Sequence, residues 1–233
     1  MRQKMPDKPS GRGAPAQVLM WLGKRRSDLR QALRRFSLRR FNRIESVVLI
    51  FGDVAIEGEA SIGERAILGP EVTIGKRVHI GPYARLSKIS IGENSSIDYG
   101  VLCTGYGDGN IRIGRESYIG IRNILDWSSN ISIGNFVHIA GPSTALWTHT
   151  SARMCLDGLP LARKDDKTRR PTAAITIEDN VYIGGNCTIY PGVTIHHHVI
   201  VAPNSAVTKD VPSYTMFGGV PAKEIKKISP ESS

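Results

Sequence analysis

An isoleucine or its equivalent returns every six residues along most of this chain: Ile44, Ile50, Ile56, Ile62, Leu68, Ile74, Ile80 and Leu86. The beat slips by one residue and resumes at Ile91, Ile97 and Cys103, then at Ile113, Ile119 and Leu125, then at Ile133, Ile139 and Ala145. A last run goes from Ile177 through Ile183, Ile189, Ile195 and Val201 to Val207. Glycine often follows the anchor, as at Gly63, Gly81, Gly92 and Gly184. A small or β-branched residue stands four places after it, as at Ala66, Val78, Ser117, Ser143 and Val199. A period of six matches neither the alternation of a half-buried strand nor the turn of about 3.6 residues in a helix. It is the length of a short strand plus a corner. Three such sides close a triangular coil of eighteen residues, each side pairing with the equivalent side of the next coil.

The breaks in the beat respect this unit. The coil that follows Ile91 is four residues too long, the one after Ile113 two too long, and the one after Ile133 twenty-six too long. All three excesses therefore leave the prism at one edge, and the longest forms a loop over about 146–174. A stack of like coils is held by contacts between neighbours and has no structural need of such a loop. Its content, "LDGLPLARKDDKTRRPTAA", is charged, as suits a lid or a recognition element. It opens with Trp147, Thr148 and His149.

Charge sets a second boundary. Residues 1–43 hold thirteen Lys or Arg against two acids, whereas the other 190 residues hold eighteen bases and nineteen acids. The net charge of +10 thus belongs to an N-terminal arm. Its first fourteen residues are rich in Pro, Gly and Lys and read as disordered. Over 16–41, Leu22, Leu29, Leu33 and Phe36 keep helical spacing among eight Lys and Arg residues from Lys24 to Arg40. Such a basic amphipathic helix fits an anionic membrane surface, or a helix packed on the end of the repeat domain with its arginines solvated. No stacking aromatics or recognition motif accompany the charge, so nucleic acid is not the expected partner. No window approaches the roughly 18 apolar residues of a membrane span, and the expectation is a cytoplasmic chain, at the inner face of the membrane if the arm binds lipid. Cys103, Cys155 and Cys187 show neither metal spacing nor an even disulfide framework.

Over 44–212 the pattern resembles the hexapeptide-repeat acyltransferases, whose fold is a left-handed parallel β-helix; the hand comes from the resemblance. The segment from Val181 to Ile228, with its "IGG", "PGVTI", "VTKDVP" and "GGVPAK" elements, is similar to the C-terminal part of the maltose and galactoside O-acetyltransferases. The implied organisation is a basic arm (1–43), an all-β left-handed parallel β-helix (44–212) and a cofactor-contacting tail (213–233). Acyl transfer to a hydroxyl needs a base for the alcohol, donors for the oxyanion and a groove for a long cofactor.

The resemblance assigns the base to His149. It places Tyr182, Gly185 and Pro203 along the pantetheine arm of acetyl-CoA, with Thr208 and Lys209 nearby and Lys223 and Lys226 at the nucleotide phosphates. Asn123, Asp126 and Trp147 are the candidates on the acceptor side. The family's homotrimers hold their sites between protomers and need no metal. Here His196, His197 and His198 occupy a corner where adjacent side chains diverge, and His138 and His149 do not keep the spacing of the zinc-binding γ-type carbonic anhydrases.

The expected activity is acetyl-CoA-dependent O-acetylation of a sugar or saccharide hydroxyl, lipid-linked or free, in surface-polysaccharide biosynthesis. Two readings compete with it: N-acylation of a nucleotide amino sugar, and a non-catalytic scaffold docked by the arm.

Overall fold

The computed structural model describes residues 43–45, 47–159 and 170–229. The expected helix over 16–41 and the disordered start lie outside these residues, as do 160–169 of the long loop. Strands of two to three residues follow one another around a triangle: Arg43–Ile44 lies in the first sheet, Leu49–Ile50 in the second, Val54–Ile56 in the third, and Ser61–Ile62 returns to the first. The sheets contain ten, eight and seven strands. Among the described residues, every pairing between strands of the three sheets is parallel except the last, where Thr215–Gly218 meets Lys223–Lys227 antiparallel. The result is the expected parallel β-helix, of about nine turns.

The anchors stack in columns. Ile62, Ile80, Ile97, Ile119, Ile139 and Ile183 face inward from the first sheet, each paired with the next and each at most 1% exposed. Fully burying one such side chain contributes roughly 1.5–3 kcal/mol. Backbone N–H and C=O groups bond to the coils above and below, as in Gly81 N to Ile97 O (2.6 Å) and Gly92 N to Ile113 O (2.8 Å). The position four after the anchor fills the corner. Where it is serine, the hydroxyl ties coils together: Ser95 Oγ donates to Gly114 O (2.8 Å) and accepts from Ser117 N (3.0 Å).

One phase in the sequence reading needs correction. The register pairs Leu125 with Leu146 and Leu146 with Ile189, so the anchor is Leu146 and not Ala145. The side that begins at Ile139 is one residue longer than six, with the extra residue near Gly141 and Pro142. Thr144 takes the inner corner, fully buried, while Ser143 is exposed. Asn123, on the coil below, supports this longer side. Its Nδ2 donates to Ile139 O (3.1 Å) and Ala140 O (3.3 Å), and its Oδ1 accepts from Thr144 N (2.8 Å).

Apart from that single residue near Gly141, the extra residues of the three long coils share one edge, between the second and third sheets. They lie between Thr104 and Ile111, between Asp126 and Ile131, and between Leu146 and Ile175. The last insertion includes the short helix Ala152–Leu156, which buries Met154. No helix among the described residues is long and apolar enough to cross a membrane.

Coil spacing explains the glycines that follow anchors. A Cβ on Gly92 would stand 2.6 Å from the carbonyl carbon of Gly114 in the next coil. That neighbour is backbone held in the ladder, so it cannot swing aside. Gly92→Ala should therefore cost about 1–3 kcal/mol of stability, read as a lower denaturant midpoint in equilibrium unfolding.

Candidate active site

Three insertions at one edge bring four segments around His149. Thr148 to Thr150 run antiparallel to Pro171 to Ala173: Thr150 N donates to Pro171 O (3.1 Å), Ala173 N donates to Thr148 O (2.8 Å), and His149 bridges to Thr172. This closes the stem of the long loop and holds the imidazole against the second sheet. Asp126, at the end of the strand Ile124–Asp126, lies beneath it with no exposed surface.

The carboxylate of Asp126 is fully engaged. Oδ2 lies 2.6 Å from His149 Nδ1 and accepts from Thr148 N (2.9 Å) and Thr148 Oγ1 (3.0 Å). Oδ1 accepts from Ser128 Oγ (2.6 Å) and Ser128 N (3.1 Å). Burial alone would raise its pKa, but the hydrogen bonds from Ser128 and His149 outweigh that and hold it below the ordinary carboxylate value. An ionised carboxylate only accepts, so His149 must carry its proton on Nδ1. Nε2 is then the nitrogen with the lone pair, on a side chain that keeps 20% exposure.

Aromatic rings flank the imidazole edge-on. Tyr106, from the first insertion, has its centroid 4.9 Å away, and Trp147 lies at 6.1 Å. Arg170, at the far end of the loop stem, stands over the Tyr106 ring at 4.8 Å. The chemistry of this edge is a buried acid, an oriented imidazole and a half-exposed aromatic wall beside a guanidinium.

The structure redistributes the residues expected for the acceptor. Trp147 lies beside His149, with the ring centroids 6.1 Å apart. Asp126 is enclosed and bonded to the imidazole, so it presents no surface to an acceptor. Asn123 is fully buried and its amide is taken up by the corner it supports. Sequence reasoning passed over Tyr106, Ser128 and Arg170. Their signal was available, because Tyr106 and Ser128 lie among the extra residues of the two shorter insertions and Arg170 lies in the longest.

The residues expected for the cofactor fall in separate places. Thr208 and Lys209 follow a second-sheet strand, on the same edge as His149. Gly185 and Pro203 lie at the edge between the first and second sheets, where a Cβ on Gly185 would meet Gly141 O at 2.5 Å. Tyr182 is on the outer face of the first sheet, 40% exposed.

From Tyr182 the register runs through Ile200 and Met216 to Lys226. The register shift in the last pairing skips Ile225, so that Lys223, opposite Gly218, shares the face of Lys226. An aromatic ring, an apolar stretch and two lysines thus form one row about three strand spacings, ~14 Å, long. Such a row fits an extended arm that ends in phosphates.

The remaining histidines make no metal cluster. His196 Nδ1 lies 3.0 Å from Glu178 Oε1, and His198 stacks on Tyr214 at 4.8 Å. No group of three or more potential metal-ligating residues occurs among the described residues. Cys103 and Cys187 are buried, and burial pushes the Cys103 thiol up to about 12.

Comparison with known proteins adds to this picture. The family described as bacterial transferase hexapeptide (six repeats) matches residues 174–209. Galactoside O-acetyltransferase of Escherichia coli (strain K12) is 33% identical over 141 residues, covering 60% of this chain but only 64% of that protein. The chain therefore spans less than two thirds of that relative. An Escherichia coli (strain K12) protein named for O-acetyl transfer in lipopolysaccharide biosynthesis is 28% identical over 54% of this chain and 76% of its own. A hexapeptide-repeat acetyltransferase of Vibrio cholerae, solved with acetyl coenzyme A, is 32% identical over 60% of this chain and 71% of that one, with a TM-score of 0.49. With coils of six-residue sides through its described body and the repeat signature matched over its last coils, the chain is similar in both sequence and fold to the bacterial hexapeptide-repeat transferases.

Proposed function

We propose that this protein is an acetyl-CoA-dependent O-acetyltransferase acting on a saccharide hydroxyl, with His149 as the general base. The observation that carries the reading is the 2.6 Å contact from His149 Nδ1 to the buried carboxylate of Asp126. A hydroxyl is a poor nucleophile at neutral pH, and a positioned base contributes about 10²- to 10⁴-fold to its attack. Nε2 would take the hydroxyl proton as the oxygen attacks the thioester carbonyl, and Asp126 would stabilise the imidazolium that forms. The proton then passes to the departing thiolate, and no covalent acyl-enzyme is needed. Acetyl-CoA supplies the activated acyl group. This chain would hold it through Tyr182, the Ile200–Met216 stretch, Lys223 and Lys226.

The relatives named for O-acetyl transfer to galactosides and in lipopolysaccharide biosynthesis support this substrate class. A role in surface-polysaccharide biosynthesis, with an acceptor at the inner face of the membrane, follows from the second of these and from the basic arm.

The site also calls for more than one copy of the chain. In a three-sided prism, the edge between the second and third sheets lies opposite the first sheet. His149 is on that edge, whereas Tyr182, Lys223 and Lys226 are on the opposite face. A cofactor on that face would meet the His149 of a neighbouring protomer. This accords with a homotrimer whose sites lie between subunits.

Release of free CoA thiol, measured over a panel of sugars, nucleotide sugars and lipid-linked glycans, tests the activity. His149→Ala should lower acceptor-dependent release by about 10²- to 10⁴-fold while acetyl-CoA still raises the melting temperature. Equal background from both proteins, with no thermal shift, would favour the scaffold reading.

Asp126→Asn offers an amide N–H in place of an acceptor and should move the His149 proton to Nε2. Activity should fall on the order of 10²- to 10⁴-fold, and nitrogen NMR of the ring should report the exchanged tautomer. For the shared site, co-expression of His149→Ala with a Lys223→Glu, Lys226→Glu double variant should yield mixed oligomers more active than either parent. Sites confined to single protomers would show no recovery.

A further inference from the structure

The proposed reaction leaves two neighbours of His149 without a role. Tyr106 is 47% exposed, its ring set edge-to-face with the imidazole at 4.9 Å. Arg170 stands over that ring at 4.8 Å, so its guanidinium lies no further from the imidazole than those two distances combined. Tyr106 comes from the first insertion and Arg170 from the longest, and the two stand together beside the imidazole.

The charges on this part of the edge narrow what such a pair would bind. Asp126 is taken up by His149, Ser128 and Thr148. Lys88 lies over Trp127 at 5.1 Å and 3.9 Å from Glu71. Asp108 is exposed on the Tyr106 insertion. Among the described residues, Arg170 is a cation that stands beside the imidazole's aromatic wall. Stacking uses the face of a guanidinium, while its in-plane N–H groups are the donors that bind oxyanions bidentately. With five donors, it can serve a partner within the chain and a ligand together. An exposed aromatic ring, in turn, presents an apolar platform that suits the C–H face of a pyranose.

We propose that Tyr106 and Arg170 form an acceptor subsite for a sugar bearing an oxyanion, a carboxylate or a phosphate, within one ring of the acetylated hydroxyl. The assignment rests on the reading of the protein as a saccharide O-acetyltransferase. Tyr106 carries the ring, Arg170 binds the oxyanion, and the hydroxyl across the ring is presented to Nε2 of His149.

Matched acceptors test it: methyl glucoside against methyl glucuronide and glucose 6-phosphate, with the galactose series alongside. The wild-type protein should prefer an anionic member, and the carboxylate and phosphate arms show which oxyanion it takes. Arg170→Gln should lower the anionic-to-neutral ratio of kcat/KM by about 10- to 100-fold, through KM. Arg170→Lys should recover part of that ratio, and Tyr106→Leu should raise KM for all acceptors. A fall in kcat alike for neutral and anionic acceptors in Arg170→Gln would place Arg170 in the chemistry and overturn the assignment.

Calorimetry with His149→Ala protein loaded with CoA reads binding without turnover. Tighter binding of the anionic sugars with no transfer by the wild type would sink the acetyltransferase reading and keep the subsite. Transfer with equal efficiency to neutral and anionic acceptors would do the reverse. Absence of both binding and transfer would overturn the two together.

Discussion

The stacking of one coil on the next is the constraint from which the rest of this structure follows. Every side of every coil is too short to be stable alone; two or three residues cannot nucleate a sheet. Each gains its ladder from the equivalent side about 4.8 Å above and below. That requirement keeps the period at six, places isoleucine over isoleucine, and puts glycine where the next backbone comes within 2.6 Å of a would-be Cβ, as at Gly92. Departures from six are tolerated only where the chain can leave the stack and re-enter in register. The edge between the second and third sheets is where it does so with room to spare.

That edge is also where the chemistry gathers. An irregular loop on a regular solenoid has a rigid floor, and here the floor supplies Asp126 from a strand while the loop stem supplies His149. The arrangement is costly in isolation, because a buried carboxylate must be compensated. Ser128, Thr148 and His149 provide the compensation, and as a result the imidazole has one orientation and one tautomer. The charge that would destabilise an empty corner instead orients the imidazole.

The same geometry separates the two halves of the proposed site. A prism cannot present its edge and its opposite face to one ligand. The row from Tyr182 to Lys226 and the imidazole of His149 therefore belong to different protomers in any arrangement that uses both. On this reading, assembly is part of the active site.

The six-residue beat alone determined the three-sided coil, the stacking of like sides and the common edge of the insertions, because a period is a local property of the chain. His149 stood out as a candidate for a related reason: it stands where the beat stops. What only the tertiary structure decided are contacts between residues about twenty or forty apart, one or two coils away, which depend on register. The single extra residue near Gly141 moved the anchor from Ala145 to Leu146 and turned Asn123 into a corner brace. The pairing of adjacent coils brought Asp126 under His149 and placed Tyr106 at its side. A shift of one residue in any insertion would point those side chains elsewhere, and a linear pattern holds no record of that direction.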